Sequence, residues 1–142
     1  PDTVVETGVC YGDSTSFILE ALGKNGTGKL HSIDLPSQPD DRDVGYRVPD
    51  RLSDQWTLHL GDSKNLLPTL LSDLGSIDLF HHDSLHTYEH MLWEYETAYP
   101  AVAEGGVIGS HDILYKTAFQ DFAGEYDLPW TQVVNEGIAV VE

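Results

Sequence analysis

Short apolar runs rich in β-branched residues alternate with segments of helical period along this 142-residue chain. That alternation commits it to βαβ units around a parallel sheet. Strands are predicted at Thr3–Thr7, Leu30–Asp34, Trp56–Leu60, Ile77–His82 and Val107–Ser110. Between them, Phe17, Ile18, Ala21 and Leu22 mark a first helix that Gly23 ends, and Leu66, Leu67, Leu70, Leu71 and Leu74 mark another. The clearest helix is Thr87–Tyr99, with Tyr88, Met91, Leu92, Tyr95 and Tyr99 on one stripe and Glu89, Glu94 and Glu96 directed elsewhere. After Trp130 the pattern changes to two apolar runs, Thr131–Asn135 and Ile138–Val141, joined by Glu136-Gly137 as a hairpin. The expected fold is therefore α/β, with five parallel strands followed by an antiparallel pair. Between Pro36 and Gln55 the chain is rich in proline and acid and reads as a long loop, placed to cover a ligand beside the first strand.

Composition narrows the partners. The formal charge of −17, from 24 acids against 7 bases, repels phosphate backbones and anionic lipid, so neither nucleic acid nor membrane is expected. One cysteine leaves no internal disulfide and suits a reducing compartment, and no apolar run spans a bilayer; the chain reads as soluble and cytoplasmic. Residues 1–142 are long enough for a single domain core, and the start at Pro1, directly before a strand, reads as excision from a longer chain whose flanks could carry an oligomer contact.

Val4-Val5-Glu6-Thr7-Gly8-Val9-Cys10-Tyr11-Gly12-Asp13-Ser14 is a strand, an acid and a glycine-bearing turn that opens a helix. Such a turn admits a ligand close to the backbone and offers it a helix N-terminus. A dinucleotide fingerprint needs a second glycine where this chain has Cys10. A side chain there crowds a pyrophosphate but tolerates a compact amino-acid end, which favours S-adenosyl-L-methionine over NAD. Asp34 ends the second strand about twenty residues past the glycine turn, where a carboxylate can accept both ribose hydroxyls. Glu6 ends a central strand, and a carboxylate buried there calls for a partner. Asp62 and Ser63 are either helix caps or ligand contacts.

Asp83, His86, His111 and Asp112 converge at the carboxyl ends of the fourth and fifth strands, which face the crevice where such sheets bind ligands. Two carboxylates and an imidazole suit a hard cation such as Mg²⁺, with Asp83 and Asp112 as ligands. Without metal, His86 or His111 can serve as the general base beside Asp83. His81 and His82 point to opposite sides of their strand, one of them as a satisfied core histidine. Cys10 reads as a packing residue.

With these pieces in place, the chain resembles the class I S-adenosylmethionine-dependent methyltransferases, within them the branch of macrocin O-methyltransferase-like and cephalosporin-hydroxylase-like proteins. The resemblance rests on Glu6-Thr7-Gly8 with Gly12 and Ser14, Ile33-Asp34, Gly61-Asp62-Ser63, Asp83-Ser84-Leu85-His86-Thr87-Tyr88-Glu89, and Gly105-Gly106 followed by His111-Asp112. It implies a Rossmann-like, doubly wound, mostly parallel seven-stranded sheet ending in an antiparallel hairpin, with Gly105-Gly106 turning into the fifth strand. It also implies methyl transfer from S-adenosyl-L-methionine to a hydroxyl, or as second choice an amine, of a small molecule such as a sugar or natural product. The implied cofactor contacts are Glu6 at the methionine end, Gly8, Gly12, Ser14, Asp34, and Asp62 with Ser63 near the adenine. Metal-dependent members carry two adjacent acids where this chain has His111-Asp112, and an acid where it has Leu85. Two rivals stand beside this reading. One is a cofactor-binding module without catalysis; the other is a serine hydrolase using Ser63, Asp83 and His86.

Overall fold

In a computed structural model, which describes residues 1–36 and 42–142, the chain forms a seven-stranded sheet flanked on both faces by helices. The strands are β1 (Thr3–Thr7), β2 (Lys29–Asp34), β3 (Trp56–Leu60), β4 (Ile77–His82), β5 (Val102–Ser110), β6 (Trp130–Val133) and β7 (Glu136–Val140). Their order is β3-β2-β1-β4-β5-β7-β6. All run parallel except β7, which is antiparallel to both β5 and β6, so the parallel strands and the closing antiparallel hairpin are as expected. The helices are α1 (Asp13–Asn25), α2 (Ser63–Leu74), α3 (Tyr88–Ala98) and α4 (Ala118–Glu125).

Strand periodicity sorts the core into two layers. Val4 and Leu30 pack with Leu19 and Leu22 of α1, while Val5, Ile33, Phe80 and Ile108 pack with α2, α3 and α4 through Leu67, Met91, Tyr95, Phe119 and Phe122. β1 and β4 are neighbours although a crossover separates them in sequence, so the order reverses at β1 and opens a crevice above their carboxyl ends.

Four local expectations are corrected. Helix α1 passes through Gly23 and ends at Gly26, whose left-handed conformation (φ 74°) lets its amide close on the Leu22 and Gly23 carbonyls. Gly105-Gly106 lies inside β5, where the register against β4 jumps from Ile77↔Val102 to Leu79↔Val107, and Gly105 takes φ 78° in the resulting bulge. The hairpin turns at Val134-Asn135, not at Glu136-Gly137. Gly137 sits within β7 because a Cβ there would lie 2.6 Å from the Phe119 ring, so α4 demands the glycine. Finally, Glu94 does not point to solvent; it is wholly buried on the sheet side of α3.

The segment expected to cover the ligand instead leans, where described, on the outside of the glycine turn. Gly45 N–H donates to Cys10 O and Arg47 N–H to Tyr11 O, and a 3-10 turn at Asp50–Gln55 leads into β3. Residues 37–41 of that segment lie outside the described residues.

Candidate active site

A cleft of about 630 Å³ opens above the carboxyl ends of β1, β2 and β4. Its volume falls in the range of small-molecule sites, roughly 300–1,000 Å³. Four carboxylates, Asp34, Asp62, Asp83 and Glu89, line it against one cation, Lys64. That balance suits a cationic ligand and opposes a pyrophosphate.

Asp34 fastens the glycine turn. Its Oδ2 accepts from the Val9 amide at 2.9 Å and the Cys10 amide at 2.7 Å, and Oδ1 accepts from Leu35 N–H at 2.7 Å. That uses three of the roughly four acceptor sites of the carboxylate and leaves one for a ligand in the cleft that Asp34 lines. Asp62 caps α2 through Lys64 N–H at 2.9 Å, and Ser63 Oγ lies 3.3 Å from His90 Nε2; both residues line the cleft.

The glycines serve loop packing more than ligand approach. Gly8 (φ 85°) leaves the space in which a Cβ would meet the Asp83 carbonyl oxygen at 2.1 Å, and Gly12 (φ 93°) makes room for Val48. Of the residues expected around the cofactor, Gly8, Asp34, Asp62 and Ser63 line the cleft, while Glu6, Gly12 and Ser14 are not among its walls. Glu6 is buried under α1, where its Oε2 accepts from Thr15 Oγ1 and Ser32 Oγ at 2.8 and 2.7 Å, and Oε1 has no partner among the described residues. Burial pushes its carboxyl above the ordinary range. Ser14 Oγ reaches Asp83 Oδ2 at 3.4 Å, tying the start of α1 to the end of β4.

Asp83 forms the far wall of the cleft and the near wall of a second group. Its Oδ1 lies 3.2 Å from His111 Nδ1 and 3.5 Å from His86 Nε2. Asp112, in a left-handed conformation at φ 59°, approaches His86 Nε2 at 3.6 Å but gives its Oδ1 to Asn135 Nδ2. The neighbouring Asp83 carboxylate, reinforced by Asp112, raises the His86 imidazole above its usual value. All four residues expected here are thus brought together. They do not fit Mg²⁺ well, because that cation prefers oxygen donors and the donors converging on Asp83 are imidazoles.

The serine-hydrolase arrangement does not assemble. Ser63 meets His90 rather than His86, and His90 uses the same nitrogen, Nε2, for Ser63 and for Glu94 at 2.9 Å, so no relay passes through its ring.

Sequence reasoning missed a buried polar network centred on Glu94. Its Oε2 accepts from Thr7 Oγ1 (2.5 Å) and His82 Nδ1 (2.6 Å), and its Oε1 from His90 Nε2 (2.9 Å) and Ser84 Oγ (3.0 Å). Burial works to raise this carboxyl, but the His82 and His90 donors and the Thr7 hydroxyl outweigh it and hold Glu94 ionised far below the usual range. Burial keeps His82 neutral. His81, on the opposite face, meets Glu136 Oε2 at 3.4 Å, so both histidines of the pair are engaged. The helix period sets Glu94 off the apolar stripe, so no local signal in the sequence announced its burial.

Residues 5–113 match the profile of a family described as "Methyltransferase domain". The chain belongs to this methyltransferase family. Among solved structures, the methyltransferase resembles a cofactor-bound Rv0187 from MTB (TM-score 0.74, 19% identity, 99% of this chain and 72% of that one). It also resembles CalS11, titled a TDP-rhamnose 3'-O-methyltransferase of calicheamicin biosynthesis (TM-score 0.76, 17% identity, 99% and 72%). A third is MycE of the mycinamycin pathway, in complex with Mg and SAH (TM-score 0.69, 15% identity, 97% and 44%). At these identities the likeness is one of fold. No match is found among curated protein sequences. No helix of the described residues is long and apolar enough to cross a membrane.

Proposed function

We propose that this methyltransferase moves the methyl group of S-adenosyl-L-methionine to a hydroxyl of a small molecule such as a sugar or natural product. One observation carries the reading: an acidic cleft runs from Asp34 and Asp62 past Gly8 to Asp83, and Asp83 is shared with the His86, His111 and Asp112 cluster. In this reading Asp34 accepts from the ribose, and Asp62 and Ser63 flank the adenine. The sulfonium end lies toward Asp83, where the surrounding carboxylates favour its positive charge. Among the solved neighbours, a TDP-rhamnose 3'-O-methyltransferase and an enzyme of the mycinamycin pathway support a polyhydroxylated acceptor.

The chemistry follows from that order. The acceptor oxygen attacks the methyl carbon, the carbon–sulfur bond breaks to leave a neutral thioether, and the hydroxyl proton passes to His86 or His111. Asp83, in contact with both rings, stabilises the resulting imidazolium. Alignment supplies most of the remaining acceleration.

Calorimetry with S-adenosyl-L-methionine and S-adenosylhomocysteine tests the cofactor. Asp34→Asn is the informative variant, because removing the side chain altogether would also free the Val9 and Cys10 amides. Micromolar binding weakened at least tenfold by Asp34→Asn is expected. Absence of binding by either ligand in the native chain would overturn the reading.

A further inference from the structure

Donors held by one divalent cation at about 2.1 Å, at tetrahedral to octahedral angles, lie about 3.0–3.4 Å from one another. The separation from Asp83 Oδ1 to His111 Nδ1, 3.2 Å, falls in that range, and that to His86 Nε2, 3.5 Å, lies just beyond it. They are long for a charge-assisted hydrogen bond, which closes to about 2.8 Å. All three donor atoms lie within 4.8 Å of one another. His111 Nδ1 is shut off from solvent and makes no hydrogen bond among the described residues, with Asp83 Oδ1 at 3.2 Å and Asp112 Oδ1 at 3.5 Å; in the Nε2–H tautomer its lone pair is available to a cation.

We propose that Asp83, His86 and His111 form a two-imidazole, one-carboxylate site for a divalent transition-metal cation of the Zn²⁺, Co²⁺ or Fe²⁺ type, and not for Mg²⁺. Imidazole nitrogens favour these borderline ions, whereas Mg²⁺ selects oxygen and sheds water reluctantly. Asp112 accepts from Asn135 Nδ2 through Oδ1 and turns its Oδ2 toward His86 Nε2 at 3.6 Å, beside the three-residue group and not part of it. Behind His111, Glu136 Oε1 stands 3.9 Å from Nε2, a carboxylate on the outer side of the ring that is beyond hydrogen-bond distance. The backbone fixes the set: Asp83 N–H donates to Thr7 O at 2.8 Å and His111 N–H to His82 O at 2.9 Å. When bound, the cation would hold and acidify an acceptor hydroxyl, taking the place of the free imidazoles as the means of activating it. This purpose rests on the methyl-transfer reading, while the binding itself does not.

The test is a Co²⁺ titration of the chelator-stripped chain, followed by its visible d–d absorption. One equivalent should bind at micromolar concentration, be displaced by Zn²⁺, and resist a thousandfold excess of Mg²⁺. His86→Ala and His111→Ala should each weaken binding at least tenfold, with His111→Gln as a size-matched second variant and far-UV circular dichroism to establish folding. Asp112→Asn should change affinity less than threefold. Absence of stoichiometric Co²⁺ binding, equal competition by Mg²⁺, or a larger loss from Asp112→Asn than from His111→Ala would overturn the proposal. S-adenosyl-L-methionine binding measured in chelator reports the cofactor site separately. A chain that binds the cofactor and no Co²⁺ refutes the metal site alone; one that binds Co²⁺ and no cofactor refutes the cofactor reading alone.

Discussion

Glu94→Gln isolates the charge at the centre of the buried network without changing its shape. Four donors, from Thr7, His82, Ser84 and His90, converge on two carboxylate oxygens that only accept. A glutamine offers one oxygen and one nitrogen. Two partners must then reverse roles, and the other two lose the charge that strengthens their bonds. A hydrogen bond to a charged group contributes about 1.5–3 kcal/mol against about 0.5–1.5 for a neutral one, so the four contacts together lose about 5 kcal/mol. In a domain of this size that is a fall of about 15–20 °C in Tm. Urea unfolding at pH 7 measures it, with exposed Glu96→Gln as the control expected within about 0.5 kcal/mol of the native chain. The sign with pH is fixed as well. Because folding lowers the Glu94 carboxyl from its ordinary 4.5, its contribution is complete above that value and drains away as pH falls. The gap between the native chain and Glu94→Gln should therefore narrow by about 2 kcal/mol between pH 7 and pH 3. A gap under 1 kcal/mol at pH 7, or one that widens in acid, would refute the account.

Glu6 is the opposite case. Burial raises its carboxyl above 4.5, so the native chain loses stability as pH rises through the folded value. Glu6→Gln removes that titration, and its stability relative to the native chain should climb from pH 4 to pH 8 in urea melts; a flat or falling difference would contradict the assignment. Gly8→Ala combines a left-handed φ of 85° with a Cβ 2.1 Å from the Asp83 carbonyl oxygen, so a loss of at least about 3 kcal/mol is expected in the same assay, and a loss below 1 would show that the two loops can separate.

The sheet was legible because its information is local. Apolar runs of the right length, glycines at strand ends and a two-run tail give the strands, their parallel connections and the closing hairpin, and Asp34, Asp62, Asp83 and His111 stood out because strand ends face the crevice. What escaped depends on contacts distant in sequence. Glu94 belongs to a helix whose period alone sends it to solvent, and its burial is decided by Thr7 and His82 on two strands and Ser84 on a loop. Gly137 looked like a turn because nothing in its neighbourhood announces Phe119. Gly8 and Gly12 were read toward a ligand, whereas their missing side chains accommodate other parts of the chain, the Asp83 carbonyl and Val48.

The seating of the Asp83 carbonyl in the space left by Gly8 has a mechanical meaning. Backbone rests on backbone there, and Asp83 N–H is bonded to Thr7 O, so no flexible side chain lies between the two segments to absorb a displacement. The turn that would take up the cofactor and the strand end that carries the reactive cluster form one hard joint. A ligand that shifts the first by a few tenths of an ångström shifts the second with it, and occupancy on one side sets the alignment on the other.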